Sequence, residues 1–448
     1  MAEGLLRFHF EWYPPGREVR APELAATWAR LDIEIGDRHP TIVEDLGSGA
    51  IRRSIIVSTF PLAEWVAYHW WDLLYGGGKD APTKLAETGS ERLESAGSNS
   101  LRNVGDGFAW PDLSMRRDGD AAMRLQWSED REPHRGWPVR FLTSGTAWLE
   151  EDELRRALSD LVEGTLARLE ESGLTATTLH KEWQALRDLD EDEVDFCQAC
   201  GRLGVDPFAE GAELADLIEA VYGRLGPAIG NDLLDAVGPK DLGPSLEWIG
   251  RAQASVRSSP GSGISPRWLT RQRVAPVMDE NTAIVLASSR SPRVFPYQVG
   301  YQLAALARRS LDRPVTEPFR LEELPVVSLA HGDSPTTAVQ ALSIPTSERS
   351  YARLVLGWKP SPSSELFVAA RSLWSLWFDQ SPAAVLTGAS SWRQQVSRAF
   401  AAELLAPAEG IQQLLDGRPA TAWAPAIADH FGVSDLVIEH QLENQLRS

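Results

Sequence analysis

The sequence predicts a multidomain α+β protein with a β-rich N-terminal module, a helical middle domain and a mostly helical C-terminal domain. Three observations support this class. Apolar and polar residues alternate through much of residues 1–148, helical periodicity begins at Leu149, and a run rich in Ser, Gly and Pro lies near residue 260. A chain of 448 residues is long enough for two or three domains that each bury a core.

Residues 1–148 are predicted to form an α+β module of unknown function. Alternating apolar residues are typical of half-buried strands, and the Asp118-Gly119 pair favours a tight turn between two of them. The predicted elements are strands at 6–12, 31–35 and 51–58, a helix at 61–74 with one apolar face, and a hairpin of 113–115 with 122–127.

A helical domain is predicted for residues 149–254. Glu150, Glu151 and Asp152 place negative charge where the helix dipole favours it, and leucines then recur with a helical period. The Ser-, Gly- and Pro-rich segment 255–267 has the composition of an interdomain linker. Residues 268–448 are then predicted to form the C-terminal domain.

The net charge of −19 argues against direct binding to nucleic acid, because phosphate contacts need concentrated Lys and Arg. Residues 427–442 have the layout of two helices joined by a turn. Asp429, Asp435 and Glu439 make this segment acidic where a DNA-reading helix is basic, so a packing hairpin is predicted. The acidic balance leaves open a basic protein partner or a DNA-mimicking role.

A cytoplasmic location without membrane association is expected. No apolar run is long enough to cross a bilayer, and residues 1–10 lack the basic and apolar regions of a signal peptide. Cys197 and Cys200 have the spacing of half a metal site, but no second pair of ligands lies nearby in the sequence. Two small apolar side chains on a helix are predicted there.

The most informative segments are 365–378, ELFVAARSLWSLWF, and 397–407, SRAFAAELLAP, which both carry an apolar helical face. Together with 427–442 they resemble the ImmA/IrrE family of bacterial metallopeptidases. In that family an RFxxAHELGH helix precedes an EANxFAAxLLMP helix and a short helical hairpin. With similar features upstream, the resemblance covers residues 295–445 and implies a zincin-like C-terminal domain.

The resemblance places the first zinc-binding His at Arg371, the general-base Glu at Ser372, the second His at Ser375 and the downstream Glu ligand at Val396. A zincin helix needs two imidazoles four residues apart and a Glu beside the first. Arginine has no lone pair for a metal, and valine cannot ligate one. The resemblance therefore implies a degenerate peptidase domain with no catalytic residues, no bound metal and no cofactor.

A guanidinium buried among apolar residues is costly unless its charge is compensated. Glu365 and Asp379 lie on the same predicted helix as Arg371, and Glu403 lies on the next one. We therefore expect Arg371 to pair with one of these three carboxylates.

These features favour a non-catalytic regulatory factor that binds another protein. Active members of the family cleave repressors, so the resemblance implies a setting in prokaryotic stress response, phage defence or toxin–antitoxin control. Two alternatives stay open. One is a metal-dependent peptidase with a non-standard site, because Asp379 and Glu403 could hold a harder cation. The other is a structural or DNA-mimicking subunit of a larger complex.

Overall fold

A computed structural model describes residues 5–15, 19–77, 99–119, 122–209, 211–258, 283–285, 294–379 and 381–446. The chain divides into two compact units, Met1–Glu210 and Gly211–Ser448. Within the described ranges, no helix combines the length and the apolar character that a bilayer crossing requires.

The boundary between the units differs from the predicted division. It falls inside the predicted helical domain 149–254 and not at the predicted linker 255–267, of which residues 259–267 lie outside the described ranges. Leu154, Leu158 and Leu161 are fully buried in the same core as the N-terminal strands, so the apolar face of this helix packs within unit 1. The predicted helical domain is thus shared between the two units.

Unit 1 combines short strands with six helices in its described part. Its elements are β1 (Leu6–Trp12), α1 (Pro22–Ala26), β2 (Trp28–Ile35), β3 (Val43–Asp45), β4 (Ile51–Arg52), β5 (Ile55–Ser58), α2 (Phe60–Tyr68), α3 (Trp70–Tyr75), β6 (Asp112–Arg117), β7 (Ala122–Ser128), β8 (Val139–Phe141), β9 (Gly145–Glu150), α4 (Glu151–Glu171), α5 (Thr178–Arg187) and α6 (Glu191–Leu203).

The described strands of unit 1 form three antiparallel sheets of three strands, ordered β1-β2-β5, β4-β3-β8 and β6-β7-β9. The predicted hairpin is present, since Arg117 on β6 pairs with Met123 on β7. The predicted strand 51–58 is instead two strands, β4 and β5, in different sheets. The predicted helix 61–74 is also divided, into α2 and α3, at His69.

Two helices of unit 1 begin at acidic capping boxes. Glu150 and Glu153 exchange side-chain and backbone bonds at the start of α4, and Asp190 accepts a bond from the Glu193 amide at the start of α6. Cys197 and Cys200 are both buried on α6. Burial raises the pKa of Cys197 to about 11, so this thiol is a poor nucleophile at neutral pH.

Unit 2 begins with three helices and continues with a four-stranded sheet and further helices. Its named elements are α7 (Ala212–Leu225), α8 (Pro227–Leu234), α9 (Pro239–Ser258), α10 (Pro296–Ser310), β10 (Val326–His331), β11 (Val339–Pro345), β12 (Ala352–Leu356), α11 (Pro362–Trp374), β13 (Ala384–Thr387), α12 (Trp392–Leu405), α13 (Ala408–Leu415), α14 (Ala420–Phe431) and α15 (Asp435–Gln441).

The sheet of unit 2 has the order β10-β12-β11-β13, with β10 parallel to β12 and the other neighbours antiparallel. Helix α10 lies directly against α12. A Cβ on Gly300 would stand 2.6 Å from the Val396 carbonyl oxygen, so only glycine permits this approach. This packing fixes the position of α12 beside the core.

The predicted acidic hairpin is present at the C-terminal end of unit 2. Helix α14 ends at Phe431 and is capped by Gly432, which has a left-handed φ of 70°, and α15 begins at Asp435, three residues after this glycine. Ile427, Phe431 and Ile438 are buried in the core of the unit. The hairpin therefore packs its apolar side inward, as predicted.

Candidate functional site

The candidate site lies where α11 and α12 pack together in unit 2. Helix α11 begins at Pro362 and is capped by Ser361, whose hydroxyl accepts a 3.2 Å hydrogen bond from the Ser364 amide. The helix continues into a π-helical turn over Ser375–Asp379. Arg349 donates to the Ser375 carbonyl at 2.7 Å, which satisfies a backbone acceptor in this turn. The end of α11 is therefore held in a defined position.

Arg371 is 1% exposed, and neutral acceptors surround its guanidinium. Its Nε donates to Ser397 Oγ at 3.2 Å, and its Nη1 donates to Gln340 Oε1 at 2.5 Å. Its Nη2 donates to the Thr387 carbonyl at 3.0 Å and to Gln394 Oε1 at 2.6 Å. Four protein oxygens thus accept hydrogen bonds from the guanidinium. A metal ligand would instead need a lone pair, which arginine does not have.

Burial lowers the pKa of Arg371 well below its ordinary value. The positive charge of Arg398 lowers this pKa further, whereas the negative charge of Asp232 raises it. The site therefore carries a cation whose charge is only partly compensated nearby.

The expected ion pairs of Arg371 are not formed. In the part of the chain that the structure describes, none of Glu365, Asp379 and Glu403 bonds to its guanidinium. Glu365 accepts a 2.9 Å bond from the Ser328 hydroxyl. Asp379 receives two 2.6 Å bonds from Arg393, and this bidentate geometry leaves it committed to a different cation.

Glu403 is held in a separate polar cluster. It is 8% exposed and accepts bonds from Gln441 Nε2 at 2.7 Å, Gln445 Nε2 at 2.9 Å and the Ala408 amide at 3.3 Å. Burial raises the pKa of Glu403, although these three donors and the charge of Arg308 act in the opposite direction. This carboxylate joins α12 to the C-terminal helices.

The other three predicted site positions are also buried. Ser372 donates to the Ala369 carbonyl of its own helix at 2.7 Å. The Ser375 hydroxyl forms no hydrogen bond with any described residue. Val396 is fully buried beside Gly300 of α10. None of these side chains has the proton acceptor that would activate a nucleophile or a water molecule.

Sequence reasoning missed Asp232, which lies on α8 and is 2% exposed. Its Oδ2 accepts from Gln394 Nε2 and from Arg393 Nε, both at 3.1 Å, and its Oδ1 accepts from the Ser391 hydroxyl. Gln394 therefore links Asp232 to Arg371 through its two amide atoms. No spacing rule could have found this contact, because Gln394 and Asp232 are 162 residues apart.

We use the name polar network for Arg371, Gln394, Asp232, Arg393 and Asp379. Its two arginines and two aspartates balance in formal charge. Arg371 has no direct bond to either aspartate, and Gln394 links it to Asp232 by accepting from Arg371 and donating to Asp232. Although burial lowers the pKa of Arg393, its two aspartate partners raise this pKa above the ordinary value overall. The Arg393 guanidinium also lies 5.6 Å from the centre of the Trp374 ring.

The residues at the predicted zinc position do not fit a zinc ion. Arg371 offers donors and no lone pair, and the two serines and Val396 supply no imidazole or carboxylate. Among the described residues, no group of three or more His, Cys, Asp or Glu side chains could hold a metal. No protein-family model, curated protein or solved structure matches this chain.

Proposed function

We propose that the protein is a non-catalytic, ImmA/IrrE-like factor that regulates another protein by binding it. The observation that supports this most directly is the state of Arg371. It stands where the family resemblance expects the first zinc ligand, it is 1% exposed, and four protein oxygens accept its hydrogen bonds. A buried cation repels a divalent metal and offers it no donor.

The arrangement of unit 2 is consistent with the proposed scaffold. Helices α11 and α12, which carry the two motif segments, pack side by side, and α10 packs on α12 through Gly300. The apolar faces that the motifs predict are buried, including Trp374 and Phe400. A fold kept for its shape would retain these packing residues and lose the ligands.

The biological setting follows from the resemblance alone. We place the protein in the cytoplasm of a prokaryote, in a stress response, phage defence or toxin–antitoxin control. Its partner is a protein, and the acidic net charge of −19 favours a basic surface on that partner.

Metal content tests the non-catalytic part of the proposal. The protein is purified without chelators, and zinc, manganese and iron are measured by elemental mass spectrometry relative to protein concentration. We expect less than about 0.1 metal per chain, whereas about one per chain would contradict the proposal. As a control, the same measurement is made after incubation with excess zinc and gel filtration.

The binding part has its own test. A partner protein that co-purifies in a fixed ratio from the native cell is incubated with the purified chain. The intact mass of the partner is then followed by mass spectrometry. We expect an unchanged mass and a stable complex. A shortened partner would show that the chain is a peptidase.

A further inference from the structure

A groove between α7 and α9 has no part in the proposed function. It measures about 600 Å³ and is lined by Ala220, Gly223, Arg224, Gly250, Gln253, Ala254 and Arg257. This volume is in the range of clefts that hold small molecules. Four of these seven lining residues are glycine or alanine, so small side chains leave the helix backbones close to the groove.

Arg224 is held in place at this groove. Its Nη1 donates to the Leu246 carbonyl on α9 at 3.0 Å, and its remaining nitrogens form no hydrogen bond with any described residue. A Cβ on Gly250 would lie 2.6 Å from Nη1 and 3.4 Å from the guanidinium carbon. The Arg224 guanidinium can therefore lie against α9 because residue 250 has no side chain.

The groove also carries uncompensated positive charge. Arg224 and Arg257 form no ion pair with any residue that the structure describes, whereas Arg251 on the same helix as Arg257 pairs with Glu247 at 3.8 Å. Two guanidiniums on neighbouring helices and the Gln253 amide line the same groove, so together they offer several N–H donors to one ligand. Guanidinium donors match the geometry of phosphate oxygens.

We infer that this groove binds the phosphate groups of a small phosphorylated molecule. Arg224 and Arg257 contact the phosphate oxygens, Gln253 adds a polar contact, and the small glycine and alanine side chains leave room for the rest of the ligand. The acidic surface elsewhere on the chain opposes long polyanions, which favours a small ligand over nucleic acid. This inference does not rest on the proposed function.

Calorimetric titration of the full chain with ADP and with inorganic pyrophosphate tests the inference. We expect at least one probe to bind with a dissociation constant between about 10 µM and 1 mM. Tighter binding of ADP would indicate a nucleotide-like ligand, and equal binding would indicate recognition of phosphate alone. Absence of heat for both probes at about 5 mM, confirmed by ligand-observed NMR, would overturn the inference.

Three variants locate the binding. Arg257→Met removes an exposed guanidinium and is expected to weaken binding by about tenfold or more. Gly250→Ala displaces the Arg224 guanidinium while favouring the helix, so it is expected to weaken binding without lowering the melting temperature. Arg251→Met is the matched control and is expected to bind as the parent does. Equal affinities in all three variants would place the ligand elsewhere and contradict the inference.

Discussion

Asp232 and Arg393 form a buried ion pair, with 3.1 Å between Oδ2 and Nε and with side chains 4% and 12% exposed. The aspartate comes from α8 and the arginine from α12, so the pair joins the first helices of unit 2 to its core. The same carboxylate reaches Arg371 through Gln394. One residue therefore supports both buried cations of the polar network.

Replacing Asp232 by Asn tests this support. The change removes one of two negative charges that balance two buried arginines, and we expect a loss of about 2–4 kcal/mol in the free energy of unfolding. Scanning calorimetry of the transition of unit 2 measures it. Asp216→Asn, on the exposed face of α7, is the matched control and should change stability by less than about 0.5 kcal/mol. Equal effects of the two changes would contradict the role of Asp232.

Arg371→Met tests whether this arginine is structural. The substitution removes the buried guanidinium that donates to Gln340, Gln394 and the Thr387 carbonyl, and Gln394 Oε1 keeps only the Thr387 amide as a donor. We therefore expect a loss of about 2–5 kcal/mol in the free energy of unfolding. Urea unfolding followed by circular dichroism gives the free energy. Arg309→Met removes an exposed arginine of α10 and serves as the control. Unchanged or increased stability in Arg371→Met would show that the guanidinium is kept for another reason.

Glu403 predicts a pH dependence of stability. Burial raises its pKa in the folded state above the ordinary 4.5, so the folded protein holds the proton more tightly than the unfolded chain does. The contribution of Glu403 to the free energy of unfolding is therefore fully present below about pH 4.5, and it is lost as the pH rises through the pKa of the folded state. Glu403→Gln removes the titration and keeps an acceptor for Gln441 and Gln445.

The measurement is the free energy of unfolding of the parent and of Glu403→Gln between pH 4 and pH 8. We expect the parent to lose stability relative to the variant as the pH rises. Glu409→Gln, an exposed change on α13, is the control. The difference in stability between the parent and this variant should not change with pH. A parent that gains stability relative to Glu403→Gln across this range would reverse the sign and exclude a raised pKa.

Fragment boundaries give a fourth prediction. A fragment of residues 211–448 keeps Asp232 and the Val256 carbonyl, which accepts a 2.9 Å bond from Arg353. We expect it to unfold cooperatively by calorimetry. A fragment of 268–448, the predicted C-terminal domain, lacks both partners and should show no cooperative transition. Cooperative unfolding of the shorter fragment at the same temperature would restore the predicted linker as the domain boundary.

Local patterns in the sequence predicted much of the fold. The Asp118-Gly119 turn predicted the hairpin of β6 and β7, and the apolar spacing around Trp374 and Phe400 predicted which faces of α11 and α12 are buried. These features depend on residues a few positions apart. The predicted strand 51–58 was wrong as one element, because β4 pairs with β3 whereas β5 pairs with β2 in a different sheet.

The site was less predictable. The sequence indicated that Arg371 is buried and needs compensation, but it named Glu365, Asp379 and Glu403 as partners on the ground of helix spacing alone. The observed arrangement uses neutral acceptors around the guanidinium and a bridging amide to Asp232. Polar contacts of this kind carry no periodicity, so only the folded chain brings them together.

The bond between Gln394 and Asp232 also bears on how this chain can change by descent. A recombination event at the Ser-, Gly- and Pro-rich segment near residue 260 would separate the aspartate from the two arginines that it supports. The descendant would inherit buried cations without their counter-charge, at a cost that a marginally stable fold does not tolerate. Residues 211–258 and the C-terminal core should therefore be inherited together.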